Sequence, residues 1–110
     1  MTPKRKPVER ARTARRAALR ASDKLARQRE RLLLLEPGGT PDRPIDVESA
    51  SVVEPRAATF ECPRCQVVLR VEAHRAPSSP GMRLREAEVS CPRCGQRRSI
   101  WFRLAGEPLN

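Results

Sequence analysis

Cys62-Pro63-Arg64-Cys65 and Cys91-Pro92-Arg93-Cys94-Gly95 are two copies of one short turn, separated by 25 residues. Two residues between the cysteines let a tight turn aim both thiolates at one point. Two such turns supply the four soft ligands of a closed tetrahedral Zn²⁺ site, with no position left for water. Proline after the first cysteine sets the turn, and glycine after the second tolerates positive φ. Cys62, Cys65, Cys91 and Cys94 are therefore the expected metal ligands, for one structural ion.

Moving outward, Val67, Leu69, Val71 and Ala73 alternate with polar positions after the first turn, and Ile100, Phe102 and Leu104 alternate after the second. Period-two alternation predicts strands. Met82 and Leu84 share one phase while Ala87 and Val89 share the other, which predicts a bulge near Glu86. Pro77-Ser78-Ser79-Pro80-Gly81 between them reads as a turn or open loop.

These knuckles resemble the zinc-ribbon class, in which two CPxC turns at the ends of β-hairpins hold a structural zinc. The resemblance covers about residues 56–104 and implies the same four cysteine ligands. Gln66 stands where the first knuckle of that class often has glycine, so this turn should be strained or differently shaped. Iron sites of the rubredoxin kind use similarly paired knuckles, and thiolate geometry alone does not choose between the two metals. Those proteins are typically acidic with an aromatic core, whereas this chain is basic and has three aromatic residues, Phe60, Trp101 and Phe102. Zinc is the expected cofactor and iron the minor alternative.

The N-terminal part has a different grammar. Ala, Arg and Leu dominate from Pro7 or Val8 to Leu35, all strong helix formers, with Glu9 in the first turn and Pro37-Gly38-Gly39 as the stop. Ala11, Ala14, Ala18, Ala21, Leu25, Gln28, Leu32 and Leu35 follow the three-four spacing of a heptad stripe. Arg12, Arg16 and Arg20 stand four apart and repel one another, as do Arg27 and Arg31. Glu36–Pro55 reads as an acidic linker containing Pro and Gly, in which Ile45, Val47 and Val53 suit an extended segment along a sheet edge. Its acids could fold back on the arginine helix. The expected plan is a helix over 1–35, a linker over 36–55, a ribbon over 56–104 and a frayed end over 105–110. This is a small α+β fold: a basic helix plus an antiparallel ribbon.

The chain has 110 residues, 23 Lys plus Arg against 13 Asp plus Glu, and a formal charge of +10. Residues 1–35 carry +9 of it, residues 36–55 carry −4, and residues 56–110 carry +5. A polyanion is the default partner for such a balance. Arg10, Arg12, Arg15, Arg16, Arg20, Arg27, Arg29 and Arg31 are the expected nucleic-acid contacts, on DNA or RNA, the ribosome included. A bland cause competes, because 20 of the 23 basic residues are Arg, as a GC-rich genome would produce. The alternative is a zinc-stabilised protein-interaction module, in which Leu25, Leu32, Leu33 and Leu35 dock on the ribbon or on a partner protein. Without a Gly-rich phosphate loop, HExxH or a nucleophile beside a base, no enzyme and no small-molecule substrate is expected. The longest aliphatic run is Leu32–Leu35, far below the ~18 residues of a membrane span, and no export signal is visible. The expected location is the cytoplasm, where thiols stay reduced and paired cysteines bind metal in preference to forming disulfides.

Overall fold

A computed structural model describes residues 7–105. Helix α1 runs Pro7–Leu35, the span that its composition and its Pro-Gly-Gly stop predict. At its end the Glu36 amide returns to the Leu32 carbonyl at 3.0 Å, and Arg43 Nη1 reaches back to the Leu35 carbonyl at 2.7 Å. Two of the orphan carbonyls of the last turn are thereby satisfied. Pro37-Gly38-Gly39 then folds tightly against the sheet. A Cβ on Gly39 would overlap the Leu33 carbonyl oxygen and the Leu34 backbone, and one on Gly38 would meet Ile45 Cδ1 at 2.7 Å. Two glycines are thus a packing requirement as well as a helix stop.

Four strands follow, β1 (Ile45–Val47), β2 (Arg70–Arg75), β3 (Leu84–Ser90) and β4 (Arg97–Leu104), in the order β1-β4-β3-β2. The ribbon strands β2, β3 and β4 are antiparallel, as expected. β1 adds to the far edge of β4 in parallel, so the sheet is mixed and not purely antiparallel. The Gly38 carbonyl accepts from the Trp101 amide at 2.8 Å and the Val47 carbonyl from Ala105 at 2.9 Å. These two bonds bracket β1 on β4 and fix its direction. The linker thus contributes the extended edge segment expected at Ile45 and Val47, both of which face inward.

A 3₁₀ turn, Ala50–Val52, leads into a five-residue helix α2, Val53–Ala57, which packs on β2 and β3. Val53, read as part of an extended segment, instead opens this helix and is fully buried. The core lies between α2 and one face of the sheet, where Val47, Val53, Ala57, Leu69, Ala87, Val89, Ile100, Phe102 and Leu104 are buried.

The expected bulge near Glu86 is elsewhere. β3 pairs with β4 without a slip from Leu84 to Ser90, and the register shifts in β2, between Val71 and Ala73. The extra residue is Glu72, whose Oε1 accepts from Ser90 Oγ. Leu84 is simply buried in the other phase at the start of its strand, opposite Arg103.

Candidate metal centre

Each knuckle is built by the same backbone bonds. In the first, the Cys62 amide donates to the Val67 carbonyl at 2.9 Å and the Gln66 amide to the Cys62 carbonyl at 2.8 Å. In the second, Cys91 donates to Gln96 at 2.9 Å and Gly95 to Cys91 at 2.9 Å. The turn demands a left-handed residue at its fourth bond, and Gly95 supplies it with φ 77°. Gln66 takes the same place with φ 58°, the one described non-glycine residue at positive φ. The strain expected at Gln66 is present, and the shape of the turn is kept. The first knuckle sits in a short hairpin closed by the Leu69 amide on the Phe60 carbonyl, and the second joins β3 to β4.

This repetition brings all four Sγ atoms within 4.8 Å of one another. Cys62 Sγ and Cys94 Sγ are 3.8 Å apart, against ~2.0 Å for a disulfide and ~3.8 Å for the edge of a tetrahedron of sulfurs 2.3 Å from a central ion. All four thiols are free. Cys62 and Cys91 are buried, Cys65 is half-buried and Cys94 is exposed. Burial pushes the Cys91 thiol up, but the amides of Cys94 and Arg93, each 3.4 Å from its sulfur, outweigh this with the neighbouring thiols and hold it at about 6. Cys65 lacks such amides; burial, then its thiol neighbours, pushes it up to about 12. Four sulfurs within 4.8 Å of one another, two of them inside the core, fit a structural metal site. An ion bound there would tie the two hairpins together.

Three further residues, His74, Trp101 and Asp46, lie apart from the cluster. His74 lies on β2 opposite Ala87, with a buried Nε2 that has no partner, and is not part of the cysteine cluster. Trp101 is half-buried on the opposite face of β4 from Ile100 and Phe102. Asp46, from the acidic segment, is held below the usual carboxylate range by the Arg103 guanidinium, which it meets at 2.7 and 2.9 Å; it does not fold back on α1.

Helix α1 leans on both knuckles along one face. Ala26 is 4% exposed. Arg29 Nη1 is 3.5 Å from the Pro63 carbonyl, and with the Gln66 side-chain amide turned to present its oxygen both Nη atoms donate to it at 3.1 Å. Asp23 is 4.0 Å from Arg64, and Glu30 accepts from Gln96 Nε2 at 3.1 Å. Sequence reasoning missed this face because only Ala26 and Leu33 on it are apolar. Of the leucines expected to dock, Leu33 is half-buried here, while Leu25, Leu32 and Leu35 remain exposed. Arg29, expected at a nucleic-acid surface, is instead a tether to the first knuckle.

Four of the ten ribbon arginines, Arg64, Arg75, Arg97 and Arg103, are in ion pairs among the described residues. Arg75 bonds Glu88 at 2.8 Å and Glu86 at 3.4 Å, and Arg97 bonds Glu88 at 3.2 Å. On α1, among the described residues, Arg10, Arg12, Arg15, Arg16, Arg20, Arg27 and Arg31 are exposed and none is in an ion pair. No described helix is long and apolar enough to cross a membrane. No protein-family model, curated protein or solved structure matches the chain.

Proposed function

We propose that this chain is a structural-zinc ribbon protein of the cytoplasm that binds nucleic acid through α1, a binding module and not an enzyme. Zinc is preferred to iron because the four-thiolate shell sits in a basic chain with few aromatic residues. Its role is to hold the two hairpins and, through them, the base of α1.

The observation that carries the reading is the concentration of exposed, unpaired arginines on one helix. Four of the ten ribbon arginines meet carboxylates, whereas seven of the eight arginines in α1 meet none among the described residues and all seven are exposed. Arg12, Arg16, Arg20, Lys24, Arg27 and Arg31 follow a spacing of four, four, four, three and four, which lines them along one side of the helix. At ~1.5 Å per residue that stripe is ~28 Å long. Such a row repels itself until an anion of matching length lies along it, and counterions released from phosphates supply the driving force.

The test uses the full zinc-loaded chain with labelled duplex DNA and single-stranded RNA over a salt series. Affinity should fall steeply, with a log-log slope of about −4 to −6 on duplex DNA for five to seven neutralised phosphates. Arg16→Ala/Arg20→Ala/Arg27→Ala should flatten that slope by ~2 to 3. No binding at low salt to either nucleic acid would remove the reading.

A further inference from the structure

Helix α1 has a third face, used neither by the ribbon nor by the basic stripe. Leu25, Leu32 and Leu35 lie along it with 46%, 58% and 64% of their surface exposed, and Ala14, Ala18 and Ala21 continue it toward the N-terminus. The docked face runs through Asp23, Ala26, Arg29, Glu30 and Leu33. It is offset from the leucines by about a third of a turn, so the ribbon leaves them open. Leu32 is also one wall of a 280 Å³ groove whose other walls include Phe60, Pro63 and Cys62 of the first knuckle. Arg29, Glu36, Glu61 and Gln66 complete its walls, so the leucine stripe opens onto a groove of mixed apolar and polar character.

We infer that this face takes an acidic amphipathic helix of another protein, packed on the heptad stripe Ala18–Leu35 as a two-helix coiled coil. The leucines give the affinity, and the flanking charges choose the partner. Beside the stripe stand Arg10, Arg15, Lys24, Arg29, Arg31 and Glu36, five basic residues, of which Arg29 is already bonded to the first knuckle, and one acid. In a parallel pair of identical chains, Arg10 would face Arg15 and Lys24 would face Arg29, with only Arg31 and Glu36 complementary. In an antiparallel pair Lys24 would face its own copy and Arg15 would face Arg29. Either way a second copy is repelled. A helix with Leu or Ile at its seam and Glu beside it meets opposite charge at almost every flank.

Lys24 and Arg31 border both the leucines and the basic stripe, so the variants that separate the two surfaces leave them in place: Leu25 and Leu32 lie only on the seam, and Arg16, Arg20 and Arg27 only on the stripe. A synthetic four-heptad peptide with Leu at the seam and Glu at the flanks serves as the probe, with a Lys-flanked version as control. The zinc-loaded chain should be monomeric by sedimentation, bind the Glu peptide and ignore the Lys peptide. Leu25→Ser/Leu32→Ser, which alters only exposed positions, should weaken Glu-peptide binding at least about tenfold. Arg16→Ala/Arg20→Ala/Arg27→Ala, which lowers charge away from the seam, should change it less than about threefold. A dimer that the leucine changes dissociate would assign the face to a second copy and overturn the inference. Binding that survives the leucine changes, or none at all, would overturn it as well.

Discussion

Cys65 and Cys91 face the same point from opposite ends of the thiol range, and the difference lies in backbone amides. Cys91 receives two, from Arg93 and Cys94, and is held at about 6, while Cys65 is pushed up to about 12 by burial and then by its thiol neighbours. At neutral pH the metal-free chain therefore presents a ready thiolate at Cys91, and Cys65 must shed a proton when metal arrives. The sign follows: raising the pH favours binding. Metal affinity should rise at least about tenfold per pH unit near neutrality from Cys65 alone, and the dependence should steepen below about pH 6, where Cys91 also takes up a proton. Competition with a chelating dye across that range measures both slopes. An affinity that does not change with pH would mean that Cys65 is not a ligand.

Among the elements, α1 and its stop were the most legible in the sequence, because Ala, Arg and Leu propensities and the Pro-Gly-Gly break all point the same way. What they did not reveal is that Gly39 is pressed on the last turn of α1 and Gly38 on Ile45 of β1 and Ile100 of β4. Gly39→Ala puts a Cβ into the Leu33 carbonyl, and no side chain can move to relieve it. The loop must lift, which breaks the bond from the Trp101 amide to the Gly38 carbonyl. We expect a loss of ~2 to 3 kcal/mol of zinc-loaded stability in denaturant and a changed emission from Trp101, the sole tryptophan. Gly81→Ala is the control, with φ 73° but open space around it, and should cost only ~1 kcal/mol. Equal effects would mean that the close packing of this loop is unimportant. Helix α2 escaped notice for a different reason: five residues with a central proline carry no periodicity. The bulge was displaced because strand phase is set by the neighbouring strands, and Leu84, buried at a strand start, imitates a slip that lies in β2. The four cysteines needed no such context, since their spacing is read within each turn. Which sulfur is shielded, however, depends on how α1 and α2 cover the hairpins.

At the scale of the molecule, metal and helix are one structural system. The core is thin: Ala26, Ala57, Ala87, Cys62 and Cys91 are among its buried residues, and Phe102 is its one fully buried aromatic. Structural zinc contributes ~10 to 16 kcal/mol in small modules, well above what such a core supplies. An ion on the four cysteines would also fix the two knuckles at once, and α1 touches both, through Arg29 on the first and Glu30 on the second. Losing the metal should free the base of α1 together with the hairpins, while the length before Asp23, which leans on nothing, keeps whatever helicity its own residues support. The radius of gyration, 20.2 Å against ~13 Å for a compact domain of this length, reflects that unsupported reach. Chelation should therefore abolish near-ultraviolet dichroism and shift Trp101 emission to the red, with a smaller fractional loss of helical signal, and added zinc should reverse all three. Complete metal removal with Trp101 emission and dichroism unchanged would show that the ribbon stands without its ion. The base of α1 would then be held by packing alone.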